Sequence, residues 1–275
     1  MKNKKFSINE AKKRCIKYRK RILDISQKVN AIHAAGAFSA LEMVDVIYHG
    51  LMRKKLKNKF LDTFLMSKGH GCMSQYVILE SLGIFPKKYL DTYCTKNGKL
   101  GSHPDYGLPG IEASTGSLGH GMGLAVGMAH GDVVGKKNVK LFLMISDGEL
   151  QEGSTWENMM MAANLGLKNL ICFIDHNGSQ SFGITKETHP KFYPLKEKIV
   201  SFGWECIEVN GHNSQELLNA VKNRKTNKPL MIIGNTIKGK GVSFMENKPI
   251  WHYRSPNPNE YKIALKELEK IKNRL

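Results

Sequence analysis

Oxygen-bearing side chains that could hold a metal ion follow two neighbouring apolar runs in the second half of the sequence. The run 139–145 leads into Ser-Asp-Gly-Glu, which contains Asp147, and the run 169–174 leads into Asp-His-Asn-Gly, which contains Asn177. A carboxylate and an amide oxygen suit a hard cation such as Mg²⁺ or Ca²⁺, and Mg²⁺ with so few protein ligands usually adds phosphate oxygens. The pair therefore predicts a metal-bridged diphosphate, although Asp-Gly and Asn-Gly are also common turn dipeptides.

These runs belong to an alternation of strands and helices that predicts the fold. Continuous apolar strands separated by helices are typical of a parallel sheet with helices on both faces, so we expect one α/β domain over residues 1–275. In such sheets ligands bind at the carboxyl ends of the strands, where Asp147 and Asn177 stand. The predicted strands cover 139–145, 169–174, 205–209 and 229–235, and the predicted helices cover 153–165, 194–202, 214–224 and 259–274.

The first half of the chain is predicted to consist of helices and one long loop. Apolar periodicity predicts a helix over about 9–30. Ser39 with Glu42 three residues later predicts, as a capping box, the start of a second helix. A third helix is expected over 72–82, and the glycine, proline, serine and aspartate of 95–116 predict an ordered loop before a helix of small residues.

The composition is that of a globular protein with a strong positive charge. Hydrophobic residues make up 41% and charged residues 24% of the 275 residues, and the formal net charge is +18. Such a charge could attract nucleic acid, but the lysine clusters 53–59 and 266–274 are not interleaved with aromatic residues. That pattern disfavours nucleic acid and leaves anionic small substrates. No apolar run approaches the ~20 residues that span a bilayer, and no apolar signal stretch follows the basic N-terminus.

The five cysteines predict a reducing compartment. They are odd in number, they are scattered, and none forms a Cys-x-x-Cys pair. This pattern argues against a disulfide framework and against a structural zinc site. We therefore expect free thiols and a cytoplasmic protein.

The segments around Asp147 and Asn177 resemble the diphosphate- and metal-binding motif of thiamine diphosphate enzymes, a Gly-Asp-Gly followed later by Asn. More narrowly, they resemble the N-terminal half of transketolases, with Ser146 where that family usually has the first glycine. Further blocks follow the family's order and spacing, so the resemblance covers nearly the whole chain. Those blocks are HAAGAFSALEMVDVIYH (33–49), MSKGHG (66–71), GSHPD (101–105), PGIEASTGSLGHGMGLAVGMA (109–129) and TIKGKGVSFMENKPIWHYRSP (236–256).

The resemblance implies thiamine diphosphate and a divalent cation, Mg²⁺ or Ca²⁺, as cofactors. Asp147, Asn177 and the backbone carbonyl of Ser179 would bind the metal. The cofactor-binding residues that the resemblance implies are His70, Gly116, Ser117, Leu118, Gly148, Glu149, Asn177 and His252. Glycines before a helix allow close backbone approach, and a helix N-terminus attracts anions. The segment TGSLGHG also looks like a dinucleotide-binding fingerprint, but no predicted strand precedes it and its glycine spacing is wrong.

Four of the ten histidines fall on histidine positions of the family, and the resemblance assigns them to the reaction. His33, His103 and His252 would surround the reacting carbons of the donor sugar, and His70 and His252 would face the diphosphate. Histidine can donate hydrogen bonds and move protons near neutral pH. A zinc site is the rival interpretation, and the lack of a compact ligand spacing such as His-Glu-x-x-His disfavours it.

Two glutamates, Glu152 and Glu157, stand at the start of a predicted helix. Acidic residues at that position complement the helix dipole, which by itself could explain them. In transketolases the equivalent residues lie at the dimer interface and link the two cofactor sites. The resemblance therefore also makes Glu152 a candidate catalytic residue.

A partner chain is also implied by the resemblance. Transketolases ionise the cofactor with a glutamate from a pyrimidine-binding domain that this sequence does not match. We therefore expect the N-terminal subunit of a split transketolase, active only with a separate C-terminal subunit in an α2β2 heterotetramer. It would transfer a two-carbon ketol unit from a ketose or ketose phosphate to an aldehyde. The alternatives are an enzyme of specialised sugar or surface-polysaccharide synthesis and a non-catalytic binding or regulatory subunit.

Overall fold

The centre of the fold is a five-stranded sheet in the computed structural model, which describes residues 6–30, 32–56, 59–180 and 183–275. The strands are β1 Lys54–Leu56, β2 Lys59–Phe60, β3 Thr63–Met66, β4 Leu141–Ser146, β5 Leu170–His176, β6 Ser179–Gln180, β7 Gly183–Ile184, β8 Glu205–Asn210 and β9 Leu230–Asn235. The sheet has the order β3-β4-β5-β9-β8, and every neighbouring pair in it is parallel. The other strands form two small antiparallel pairs, β1 with β2 and β6 with β7.

Helices cover both faces of this sheet. The α-helices are α1 Ile8–Ser26, α2 Ala34–Val46, α3 Cys72–Ser81, α4 Lys87–Asp91, α5 His120–Val134, α6 Gly153–Asn164, α7 Thr185–Thr188, α8 Leu195–Ser201, α9 Ser214–Lys222 and α10 Pro258–Lys272. The predicted α/β class with a parallel sheet and helices on both faces is confirmed. The predicted strands and helices of the second half lie within a few residues of the observed ones.

Side chains that alternate along the strands build two separate cores. In β4, Phe142 and Met144 join the core formed with α1, α2, α3, α9 and α10. Leu143 and Ile145 join the opposite core, formed with α5, α6 and α8. Successive side chains of a strand point to opposite faces, so a strand that is buried on both faces has to be apolar throughout. This is why the apolar runs in the sequence were continuous.

The predicted start of the second helix after Ser39 is wrong, because α2 begins at Ala34 with His33 at its N-cap. Every residue of α2 is buried, so the helix has no polar face from which its beginning could be read. The Ser39 hydroxyl lies inside the helix, 2.5 Å from Oδ2 of Asp175 and 3.0 Å from the carbonyl oxygen of Gly36. Ser39 therefore does not cap the helix, and the capping-box pattern was coincidental.

The sequence did not predict strand β3, which forms one edge of the sheet. It has only four residues and pairs with β4 in the register Phe64 to Phe142. Its hydrogen-bonding partner lies far along the chain, and no local pattern reports such a pairing. The strand matters for function because it carries the segment 67–71 to the carboxyl edge of the sheet.

All five strands point the same way, so their carboxyl ends meet at one edge. The segments after β3, β4, β5 and β9 converge there, together with the N-terminal ends of α2 and α5. The described part of the chain contains no helix that is both long and apolar enough to cross a membrane.

Candidate functional site

The predicted metal ligands Asp147 and Asn177 follow β4 and β5, two strands that lie side by side. The Asp147 carboxylate is fully buried and accepts hydrogen bonds from the backbone N–H groups of Gly148 at 3.0 Å and Gly178 at 2.7 Å. The Asn177 Oδ1 accepts from the backbone N–H of Ser179 at 3.1 Å. Asp147 is therefore linked by a hydrogen bond to the loop that carries Asn177 and Ser179.

The chemistry of these groups fits a divalent cation. Burial raises the pKa of Asp147 to about 6, since its charge has lost water, and its hydrogen-bond donors are uncharged backbone groups. A cation beside such a carboxylate would replace the lost hydration and hold it ionised. The amide oxygen of Asn177 and the backbone carbonyl of Ser179 add hard oxygen donors of the kind that Mg²⁺ and Ca²⁺ prefer.

One cluster brings together the four histidines that the resemblance assigns to the reaction, His33, His70, His103 and His252. The ring of His33 lies 5.4 Å from the rings of His70 and His252 and 6.4 Å from that of His103, measured between centroids. They come from the N-cap of α2, the turn after β3, the loop before α5 and the segment before α10. Tyr253 covers the cluster from the solvent side, with its ring centroid 4.4 Å from that of His33.

Burial lowers the pKa of three of these histidines, His33, His70 and His252. It lowers the pKa of His33 to about 4, with a further lowering from His252 and His103. It also lowers the pKa of His252 to about 4, with the Lys238 ammonium adding to the effect, and it holds the pKa of His70 well below the usual range. Neutral imidazoles can both accept and donate hydrogen bonds, which suits groups that hold sugar hydroxyls and exchange protons with them.

Two buried lysines at this edge were not singled out in the sequence. Lys238 is 4% exposed, and its Nζ lies 2.7 Å from Nδ1 of His252, an uncharged partner. Burial lowers its pKa to about 8, with a further contribution from Lys68. Lys68 is 1% exposed and forms an ion pair with Asp175. Lys238 therefore supplies a desolvated positive charge beside the histidines, which fits a diphosphate.

A glycine-rich crossing joins the predicted cofactor loop to the turn after β3. A Cβ on Gly69 would lie 2.8 Å from the Cα of Gly116, so the two backbones touch. Gly116, half-buried, has φ +154° and packs against the ring of His103. Ser117 is exposed and Leu118 is half-buried, which leaves this part of the loop accessible to a ligand.

The predicted cofactor residue Glu149 lies beneath that loop. Its buried carboxylate accepts from the Ser67 hydroxyl and, at 3.0 Å, from the backbone N–H of Gly119. Burial raises its pKa to about 7. These contacts tie the turn after β3 to the N-terminus of α5. Gly148, the neighbouring predicted cofactor residue, is half-buried beside Asp147.

Glu152 lies apart from the histidine cluster. It is the N-cap residue of α6, it is exposed, and its side chain packs against Gly119. Glu157 is exposed on the same helix. The surface around them also presents large apolar side chains, with Leu124 of α5 41% exposed and Met160 and Met161 of α6 48% and 50% exposed.

No group of three or more histidine, cysteine, aspartate or glutamate side chains placed to hold a metal ion occurs in the described part of the chain. The histidine rings that contact one another have their centroids 5.4–6.4 Å apart. Asp147, the amide oxygen of Asn177 and the backbone carbonyl of Ser179 offer a different set of donors, in which one ligand alone is a carboxylate.

Comparison with known proteins gives a consistent result. The family described as "Transketolase, thiamine diphosphate binding domain" matches residues 11–262. An apulose-4-phosphate transketolase subunit of Phocaeicola vulgatus is 35% identical over 92% of this chain and 91% of its own length. A 6-deoxy-6-sulfo-D-fructose transketolase subunit of a Clostridium species is 38% identical over 92% of this chain and 94% of its own length.

Longer transketolases match over part of their length. Human transketolase is 32% identical over 86% of this chain but only 38% of the human protein. The crystal structure of transketolase from Campylobacter jejuni superimposes with a TM-score of 0.86 over 98% of this chain and 46% of that one, at 24% identity. At that identity the likeness supports the fold alone.

Proposed function

This chain belongs to the transketolase family through its thiamine diphosphate-binding domain, and from that membership we propose that it is the N-terminal subunit of a two-chain transketolase. The family makes it part of a transketolase-type transferase that uses thiamine diphosphate. We further propose Mg²⁺ or Ca²⁺ as the metal and transfer of a two-carbon ketol unit from a ketose to an aldehyde as the reaction. One observation carries the proposal: Asp147, Asn177, Lys238 and the four histidines meet at one edge of the sheet.

The proposed assignment of cofactor contacts follows from the charges at that edge. Asp147, Asn177 and the backbone carbonyl of Ser179 hold the metal, and Lys238 with His70 and His252 holds the diphosphate. The backbone over 116–118 lines the thiamine, with Leu118 as an apolar contact. The buried ammonium and the metal both favour an anionic ligand, because charges attract more strongly where water is excluded.

In the proposed reaction the chain positions the sugar and handles protons. Thiamine diphosphate, when bound, supplies the electron sink for cleavage of the bond between C2 and C3 of the ketose. His33, His103 and His252 bind the donor's oxygen atoms, orient its carbonyl and exchange protons with its hydroxyls, because neutral imidazoles can accept as well as donate. Tyr253, whose ring packs against that of His33, excludes water from one side of these groups.

The substrate we propose is a ketose or ketose phosphate. Unusual sugars form a second candidate class, because the relatives that this chain covers over more than nine-tenths of their length are named for apulose 4-phosphate and 6-deoxy-6-sulfo-D-fructose. Both classes require the same cofactor site and the same two-carbon transfer.

A separate partner chain is part of the proposal. Relatives of matching length are named as subunits, and the exposed apolar residues of α5 and α6 beside Glu152 and Glu157 form a surface suited to an interface. We propose an α2β2 heterotetramer in which Glu152 is buried by assembly and links the cofactor sites. All five cysteines are free thiols, which is compatible with the cytoplasm as the proposed location.

Cofactor binding by the assembled enzyme tests the proposal. The chain is co-expressed with a pyrimidine-domain subunit from the same genome, and thiamine diphosphate with Mg²⁺ is titrated calorimetrically into the complex. We expect binding that is lost on addition of a chelator and lost in Asp147→Ala. Asp132→Ala serves as the matched control, because Asp132 lies at the far end of α5 in a surface ion pair with Lys137.

Two results would overturn the proposal. One is that the complex binds no thiamine diphosphate, and the other is that Asp147→Ala binds it as well as the native complex does. A screen of ketose and aldehyde pairs then separates the two substrate classes. Cofactor binding without turnover of any pair would favour a non-catalytic subunit.

A further inference from the structure

A fully buried ion pair joins Lys68 and Asp175 at the carboxyl edge of the sheet. Lys68 is 1% exposed and Asp175 is 0% exposed. Removing two charges from water usually costs as much as their attraction returns, so a buried pair contributes little to stability by itself. Neither residue is among the metal, cofactor or sugar ligands assigned above. Their burial therefore calls for an explanation in terms of what the pair holds in place.

Asp175 is bound by side chains from four separate segments. Its Oδ2 accepts from the Ser39 hydroxyl of α2 at 2.5 Å and from the Lys68 ammonium in the turn after β3. Its Oδ1 accepts from the Thr236 hydroxyl, directly after β9. The fourth donor is Nδ2 of Asn177, at 3.2 Å from Oδ2. The contacts with Ser39, Lys68 and Thr236 fix the position of the carboxylate. The carboxylate in turn holds Nδ2 of Asn177 and so fixes the orientation of that amide.

The contact with Asn177 determines which end of its amide faces the metal position. An amide has one acceptor oxygen and one donor nitrogen. With Nδ2 on the Asp175 carboxylate, Oδ1 is directed away from it and accepts from the backbone N–H of Ser179. The reversed amide would place Oδ1 against a carboxylate oxygen, which is repulsive. Asp175 therefore selects the orientation in which the oxygen is available to a cation.

Lys68 explains why a second carboxylate can stand so close to Asp147. The Lys68 ammonium forms an ion pair with the Asp175 carboxylate, which also accepts from the hydroxyls of Ser39 and Thr236. Lys68 also donates to the carbonyl of Gly36 at 3.0 Å, which fixes the ammonium against α2. With its charge balanced and its lone pairs occupied, Asp175 does not compete for the metal.

We propose that Asp175 is a positioning residue that orients the Asn177 amide oxygen toward a divalent cation, with Lys68 as its buried counter-ion. The inference rests on the proposed function, since it requires a cation at Asp147 and Asn177. Residues that orient metal ligands typically change metal affinity by about 10–100-fold when they are removed.

The test replaces the whole pair, because removing one partner leaves an uncompensated buried charge. The double variant Lys68→Met/Asp175→Leu keeps the volume and removes the acceptor for Asn177. Ser26→Ala is the matched control, since it also removes a buried hydroxyl, which donates to the carbonyl of Leu23 at the end of α1 and not to Asp175. Circular dichroism and thermal unfolding establish that each variant is folded.

The first measurement uses the chain alone without ligand. In protein labelled with ¹⁵N-asparagine, the side-chain NH₂ resonances of Asn177 are assigned by their loss in Asn177→Ser. We expect these resonances to shift in the double variant and to stay in place in Ser26→Ala. The second measurement titrates thiamine diphosphate and Mg²⁺ into the two-subunit complex, where we expect affinity to fall about 10–100-fold in the double variant and to remain unchanged in the control.

The inference is refuted if the Asn177 resonances of the folded double variant coincide with the native ones, or if its cofactor affinity equals that of the native complex. Should the double variant not fold, Lys68→Met/Asp175→Val, which has a smaller side chain at position 175, is judged by the same two results. Failure of the native complex to bind the cofactor refutes the proposed function instead. The resonances of the ligand-free chain still decide whether Asp175 orients Asn177.

Discussion

Replacement of Glu42 by glutamine should destabilise the protein by about 3 kcal/mol at neutral pH. Arg19 donates two hydrogen bonds to Glu42, at 2.7 and 2.9 Å, and both residues are buried. His212 lies 2.9 Å from the same carboxylate. Burial alone would raise the pKa of Glu42, but Arg19 and His212 outweigh it and lower the pKa from 4.5 to about 2. The pair anchors α2, whose first residues follow His33, to α1.

The magnitude follows from the difference between the folded and unfolded pKa. Each pH unit between them corresponds to ~1.4 kcal/mol, so a fall from 4.5 to about 2 in Glu42 corresponds to about 3 kcal/mol of the free energy of unfolding. Because the folded pKa is the lower one, this stabilisation is complete above pH 4.5 and is lost as the pH falls from there toward 2. Breaking a buried pair by removing one partner gives a similar figure, about 3–5 kcal/mol.

Urea unfolding followed by circular dichroism measures the effect at a series of pH values from neutral to acid. The difference in the free energy of unfolding between native protein and Glu42→Gln should be largest at neutral pH and should become smaller as the pH falls below 4.5. Glu10→Gln is the control, because Glu10 is exposed and pairs with Lys13 at 3.3 Å on the surface, where such pairs contribute about 0–1 kcal/mol. A difference that stays constant as the medium becomes acidic would refute the reasoning.

Two further predictions concern the cofactor edge. Lys238→Met should weaken binding of thiamine diphosphate to the two-subunit complex by about 1.5–3 kcal/mol, since a buried charged hydrogen-bond donor is lost. Calorimetry measures this against Lys240→Met, whose exposed side chain pairs with Glu246; equal affinities would show that Lys238 does not meet the diphosphate. Gly69→Ala should lower stability by about 1–3 kcal/mol, because its Cβ would lie 2.8 Å from Gly116. Gly127→Ala, whose Cβ meets nothing within 4 Å, should not destabilise in the same thermal unfolding assay.

Much of the fold could be predicted because the second half of the chain carries a repeated local pattern. Runs such as 139–145 are apolar at every position, and only a strand buried on both faces needs that pattern. Helix α2 was harder to place, because it is buried on every side. Ser39 and Glu42 have the spacing of a capping box, although Ser39 lies inside the helix and does not begin it. Strand β3 was missed because its pairing with β4 is non-local.

The candidate metal pair could be predicted for a related reason. A parallel sheet brings the residues after neighbouring strands to one edge, so Asp147 and Asn177 had to lie near each other once β4 and β5 were adjacent. The resemblance to transketolases then supplied the histidines, and the structure brings His33, His70, His103 and His252 into one cluster. Their roles in the reaction stay predictions.

By itself the sequence determined the strands and helices of the second half of the chain and the oxygen-bearing groups that follow β4 and β5, because these depend on local pattern and on strand direction. Only the tertiary structure decided that Lys68 and Lys238 are buried. From the sequence alone a lysine is expected at the surface, because its burial requires a partner. For Lys68 that partner is Asp175, which lies 107 residues away in the chain. The same long-range packing lowers the pKa of His33, His70 and His252 and sets the orientation of the Asn177 amide, because both depend on what surrounds a group and not on what precedes it in the chain.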